Sequence, residues 1–120
     1  MANRTPLMAG NWKMNLNHVE ATGLVQKLAW TLVDHKYNPA MTGVAVIVPF
    51  TDIRTVQTLI EAEKYPIDWG AQDVSAHASG ADPGEVSAGM LAKLDCPYGG
   101  GGHSECSEER EETAEILNAT

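Results

Sequence analysis

Apolar and polar positions along the chain change period repeatedly, and the changes divide it into short strand-like runs alternating with helical patterns. Pro6-Leu7-Met8-Ala9-Gly10 is a short apolar run that ends at the polar Asn11-Trp12-Lys13. Val44-Ala45-Val46-Ile47-Val48 is continuous and rich in β-branched residues, as expected for a strand covered on both faces, and Pro49 closes it. A shorter run from Ile67 to Ala71 leads into a loop rich in Ser, Ala, Gly and Pro, and a fourth strand is expected near Tyr98 to Gly102. Between these runs the spacing becomes helical. Asn17 with Glu20 three residues on predicts an N-terminal capping box, followed by an apolar face of Leu24, Val25, Leu28 and Leu32. Thr51 or Asp52 is the expected cap of a second helix, with Ile53, Val56, Leu59 and Ile60 as its stripe. Glu85 is expected to sit favourably at the positive end of a third helix that carries Val86, Met90, Leu91 and Leu94 inward. The last, 107–118, is dominated by Glu, with Ile116 and Leu117 as its strong anchors.

Strands alternating with helices predict an α/β chain with a parallel sheet and right-handed crossovers. Periodicity admits two architectures, a small open α/β domain and four units of a (β/α)8 barrel. Both place chemistry at the C-terminal ends of the strands. Asn11, Lys13 and His103 fall there.

The chain has 120 residues, 43% hydrophobic and 20% charged, which is the composition of one globular domain over 1–120. Its formal net charge of -8 argues against nucleic acid or an anionic membrane surface as the main partner, because both require a basic footprint. No apolar run approaches the roughly 18 residues of a membrane span. The N-terminus lacks the basic-then-apolar pattern of a signal peptide. Cys96 and Cys106 form no metal-ligand or disulfide framework, so a reduced, cytoplasmic setting is expected. No metal or other cofactor is expected.

Candidate chemistry sharpens this picture. Ala9-Gly10-Asn11-Trp12-Lys13-Met14-Asn15 closely resembles the signature that follows the first strand of triosephosphate isomerase. In the same order as in that family come Pro49-Phe50-Thr51-Asp52, Gly70-Ala71-Gln72-Asp73, Gly80-Ala81 with Gly84-Glu85-Val86-Ser87, and Gly102-His103-Ser104-Glu105. The resemblance covers essentially the whole chain and about half of the family's barrel. It implies the interconversion of glyceraldehyde 3-phosphate and dihydroxyacetone phosphate, which moves a proton between adjacent carbons through an enediolate. That chemistry needs a base, a donor that polarises the oxygen, and a positive charge for the phosphate. By resemblance Lys13 supplies the charge and Asn11 bonds the substrate oxygen. Glu105 orients Lys13, and Ser104 supports the site. His103 is the neutral electrophile, a role already established for this enzyme family and carried over with the motif. Trp12 is expected to pack rather than to touch substrate.

Several positions depart from the family pattern. The fourth strand reads Gly99-Gly100-Gly101-Gly102, where the family has β-branched residues before the final Gly, and each interior glycine costs roughly 0.5–1 kcal/mol against Ala. Those glycines lack the following Lys-Ser/Thr of a P-loop. Cys106 and Ser107 replace an arginine pair that would support ion pairing. Asp82-Pro83 replaces an aromatic–Thr pair at the tip of a loop that, in the family, enters a neighbouring subunit; Pro83 removes a donor there. The family's catalytic glutamate, mobile lid and Gly-rich phosphate loops all come later in sequence. The expectation is therefore an isomerase homologue with weak or no activity alone. Its open sheet edges would call for a second copy or a C-terminal half-barrel. The alternative is a non-catalytic half-barrel assembly module.

Overall fold

The computed structural model describes residues 6–99. Its elements are β1 (Leu7–Asn11), α1 (His18–Asp34), β2 (Gly43–Val48), α2 (Phe50–Glu63), β3 (Asp68–Ala71), α3 (Ala88–Lys93) and β4 (Tyr98–Gly99). The strands form one sheet in the order β1-β2-β3-β4, with every neighbouring pair parallel. This is the architecture of the first half of a (β/α)8 barrel. Gly100 to Gly102, His103, Ser104, Glu105, Cys106 and the helix expected over 107–118 lie outside the described residues.

Alternation along the strands separates two faces. Val46 and Val48 of β2 and Trp69 and Ala71 of β3 join Ala21, Val25 and Ala29 of α1 and Ile53, Val56 and Ile60 of α2 in one buried cluster. Small residues on α1 let it pack against α2. Trp69 fills the space towards α3, where its indole Nε1 donates to the Leu94 carbonyl at 3.0 Å. By the same alternation Ala9, Asn11, Ala45, Ile47 and Gly70 share the opposite face. There Gly70 is required by space. A Cβ on it would lie 2.7 Å from Ile47 Cδ1, 2.9 Å from Tyr98 Cβ and 3.0 Å from the Tyr98 carbonyl oxygen. As an edge of the described sheet, β1 is exposed along its length, including Leu7 and Met8.

Helix starts and faces depart from the expected pattern in instructive ways. The Asn17 box forms as its spacing predicts: Asn17 Oδ1 accepts from the Val19 and Glu20 amides at 3.0 and 2.9 Å. Glu20 Oε1 accepts from the Asn17 amide at 3.1 Å. The buried line of α1, however, is Ala21, Val25 and Ala29; Leu28 and Leu32 flank it, and Leu24 is exposed. Neither Thr51 nor Asp52 caps α2. Pro49 occupies that position without a side-chain bond, while Asp52 lies in the first turn and is fully buried. Ser87, two residues after Glu85, caps α3: its Oγ accepts from the Met90 amide at 3.2 Å. Leu91 is buried with Val86 and Leu94 beside it, whereas Met90 faces solvent.

The loop before α3 is closed at its base by the Ser75 amide donating to the Val86 carbonyl at 2.8 Å. At its tip the Glu85 amide donates to the Asp82 carbonyl at 3.1 Å, and Gly84 has φ 88. That is a type II turn with Pro83 at its second position and Gly84 at its third. Pro83 therefore shapes the turn at a position where no donor is needed, and it fits the loop in which the sequence places it.

Candidate active site at the C-terminal ends of the strands

The sheet register brings the candidate residues to one end. Asn11 ends β1 opposite Ile47, and Val48 of β2 is opposite Ala71, the last residue of β3. The Trp12 amide extends the ladder by donating to the Ile47 carbonyl at 3.0 Å. The chain then turns sharply at Lys13, whose φ of 54 lies in the left-handed region that costs a non-glycine residue about 1–2 kcal/mol. Trp12 packs against the core cluster, as expected.

Hydrogen bonds support that turn. The Lys13 amide donates to Asn11 Oδ1 at 2.9 Å, and Asn15 Nδ2 donates to the Trp12 carbonyl at 2.8 Å. Gln72, immediately after β3, reaches back across the sheet end. Its Nε2 donates to the Lys13 carbonyl at 2.6 Å, and also approaches Asn11 Oδ1 at 3.3 Å and the Ile47 carbonyl at 3.4 Å. Asn11 and Lys13 thus come together in the described structure, while His103, Ser104 and Glu105 lie outside the described residues. Gln72 is the residue that the sequence reading missed. Its signal was the Gly70-Ala71-Gln72-Asp73 motif, but a contact spanning 59 residues of sequence leaves no local periodicity.

Two titratable groups near this half of the sheet are shifted. Burial pushes the Asp52 carboxyl up; the Thr51 hydroxyl, 3.4 Å from Asp52 Oδ1, and the charge of His18 pull it down, and Glu20 pushes it up. Asp52 Oδ2 is buried and has no hydrogen-bond partner among the described residues. Burial also raises the Cys96 thiol, against backbone interactions at Ala71 and Tyr98 that lower it. Cys96 is a packing residue beside β3. Among the described residues no group of three or more His, Cys, Asp or Glu could hold a metal ion. No described helix is long and apolar enough to cross a membrane.

Parallel β/α units, with polar side chains gathered at the C-terminal ends of the first and third strands, define the class: this is the N-terminal part of an α/β barrel, and that face carries its candidate site. The family follows from sequence comparison. The sequence model of triosephosphate isomerase matches residues 6–120. The chain is 58% identical over 119 residues to the triosephosphate isomerase of Streptomyces coelicolor, covering 99% of this chain and 45% of that protein. It is 60% identical over 116 residues to the enzyme of Corynebacterium efficiens, covering 97% of this chain and 44% of the relative. For the Saccharopolyspora erythraea enzyme the identity is 59% over 115 residues, with 96% and 43% covered. The chain belongs to the triosephosphate isomerase family, and it spans less than half the length of these relatives.

Proposed function

We propose that this chain supplies the substrate-oxygen and phosphate-anchoring part of a triosephosphate isomerase site. The reaction is the interconversion of glyceraldehyde 3-phosphate and dihydroxyacetone phosphate, a step of glycolysis and gluconeogenesis. The single observation that carries this reading is the pairing of Asn11 and Lys13 at the end of β1, within a family match over residues 6–120. Lys13 brings the charge that attracts the substrate phosphate. Asn11 donates to the substrate oxygen. His103 polarises that oxygen as a neutral donor, Glu105 orients Lys13, and Ser104 supports them. No metal or organic cofactor is needed for this proton transfer. Cytoplasmic localisation accords with the glycolytic role.

The catalytic carboxylate base of the family belongs to later β/α units, so full activity requires a C-terminal half-barrel. The exposed β1 edge favours that arrangement, since unpaired strand groups seek a partner strand. The same edge supports a second reading, in which two copies of the chain assemble without catalysis. A coupled isomerase assay on the purified chain, alone and with the C-terminal half of a relative, separates the two. The isomerase reading expects activity only in the mixture. Concentration-dependent self-assembly, with no activity in a mixture shown to associate, would favour the assembly module.

A further inference from the structure

Gln72 lies where two features of the proposed site meet, and its hydrogen-bonding capacity matches both. An amide nitrogen offers two hydrogens. Gln72 Nε2 spends this capacity on the Lys13 carbonyl at 2.6 Å, with Asn11 Oδ1 at 3.3 Å and the Ile47 carbonyl at 3.4 Å sharing what remains. The first contact holds the backbone of a lysine in a left-handed conformation that its side chain disfavours. The second falls on the oxygen of Asn11 that also accepts the Lys13 amide at 2.9 Å.

Two donors directed at Asn11 Oδ1 settle the orientation of that amide, because the flipped form would set N–H groups against N–H groups. With Oδ1 turned towards Lys13 and Gln72, Asn11 presents its Nδ2 donor to the substrate side. A donor suits an oxygen that gains negative charge as the enediolate forms; an acceptor there would repel it. Gln72 directly follows β3, a strand that lies between β2 and β4. The segment it contacts follows β1, at an exposed edge of the described sheet.

We infer that Gln72 is a positioning residue: it fixes the Lys13 turn and sets the Asn11 amide with Nδ2 towards the substrate oxygen. This assignment rests on the isomerase reading for its catalytic meaning, but not for its geometry. It acts through Asn11 and Lys13, so a carboxylate or an apolar side chain of the same length cannot replace it. Gln72→Glu keeps the shape and supplies only acceptors when ionised. Gln72→Met keeps the length and supplies no donor.

The test follows the Asn11 side-chain NH2 and Lys13 backbone amide resonances by 15N–1H correlation NMR in the ligand-free chain and during titration with inorganic phosphate. In both variants these signals are expected to move while amides of α1 and α2 stay in place. Phosphate affinity is expected to fall about tenfold, the order expected when one anchoring interaction is lost. In the assembly with a C-terminal half, kcat/KM should fall by a similar factor. Unmoved Asn11 and Lys13 signals in a folded variant would overturn the assignment. Displaced signals in the variants, with no isomerisation by the parent chain in a mixture shown to associate with the C-terminal half, would uphold the geometry and overturn the isomerase reading. Should Gln72→Met fail to fold, Gln72→Asn, which keeps the amide but shortens its reach, is judged by the same two signals.

Discussion

Gln72 Nε2 donates to the carbonyl of Lys13 at 2.6 Å, joining the end of β3 to a turn two residues beyond β1. The link ties a residue with positive φ to the residue that directly follows an inner strand of the described sheet. It divides Lys13 into two parts with different tasks: a backbone that shapes the sheet end and a side chain that serves the proposed site.

That division predicts the behaviour of Lys13→Gly. Glycine adopts the left-handed conformation readily, so the variant should be as stable as the parent or more stable by up to about 1 kcal/mol in urea denaturation. The backbone amide and carbonyl remain to bond Asn11 and Gln72. Phosphate binding should nevertheless be lost with the ammonium group. A fall in stability above about 1 kcal/mol would mean that the lysine side chain itself holds the fold.

A second prediction concerns Gly70. Its absent Cβ leaves room for Ile47 Cδ1 and for the Tyr98 backbone, both of which a methyl group would meet at 3.0 Å or less. Gly70→Ala should destabilise the chain by about 1–3 kcal/mol through overpacking. Adding Ile47→Val removes only the Cδ1 contact and should recover part of the loss. Full recovery in thermal denaturation would show that β4 yields easily and that Tyr98 imposes no constraint.

Asp52 gives a prediction about pH. Burial raises its carboxyl above the ordinary value of 3.8, so the folded chain holds this proton more tightly than the unfolded chain. The contribution to stability is present in full below the unfolded value and is lost as the pH rises through the raised folded value. Asp52→Asn cannot titrate. Relative to the parent, the variant should therefore gain stability as pH rises across that window and hold the gain above it. A stability difference that stays constant from acidic to neutral pH, measured by urea denaturation, would contradict the assignment.

Much of the fold was legible because local chemistry and tertiary packing agree. Asn17 and Glu20 predict a capping box by spacing alone, and the box forms. The run from Val44 to Val48 reads as a buried central strand, and β2 is one. The misreadings have a common cause: side-chain character was read without knowing the packing partner. Asp52 is a good cap by residue type, yet the turn after Pro49 starts α2 earlier and buries it. Leu24 and Met90 are apolar, but the core cluster takes the smaller Ala21 and Ala29 and the neighbouring Leu91 instead. Within the candidate site, Asn11 and Lys13 were visible as a motif beside one strand. Gln72 stood in a motif of its own, but its link to them was not legible, because the parallel register that carries it there is a property of the sheet and of no single segment.

The central claim is that Lys13 supplies the phosphate-attracting charge of an isomerase site completed by a C-terminal half-barrel. It is tested most directly by kcat/KM for glyceraldehyde 3-phosphate in that assembly, with Lys13 and with Lys13→Ala. The account predicts a loss of about 100-fold or more, equivalent to roughly 2.7 kcal/mol of transition-state stabilisation. An assembly that isomerises the substrate equally well with alanine at position 13 would contradict it.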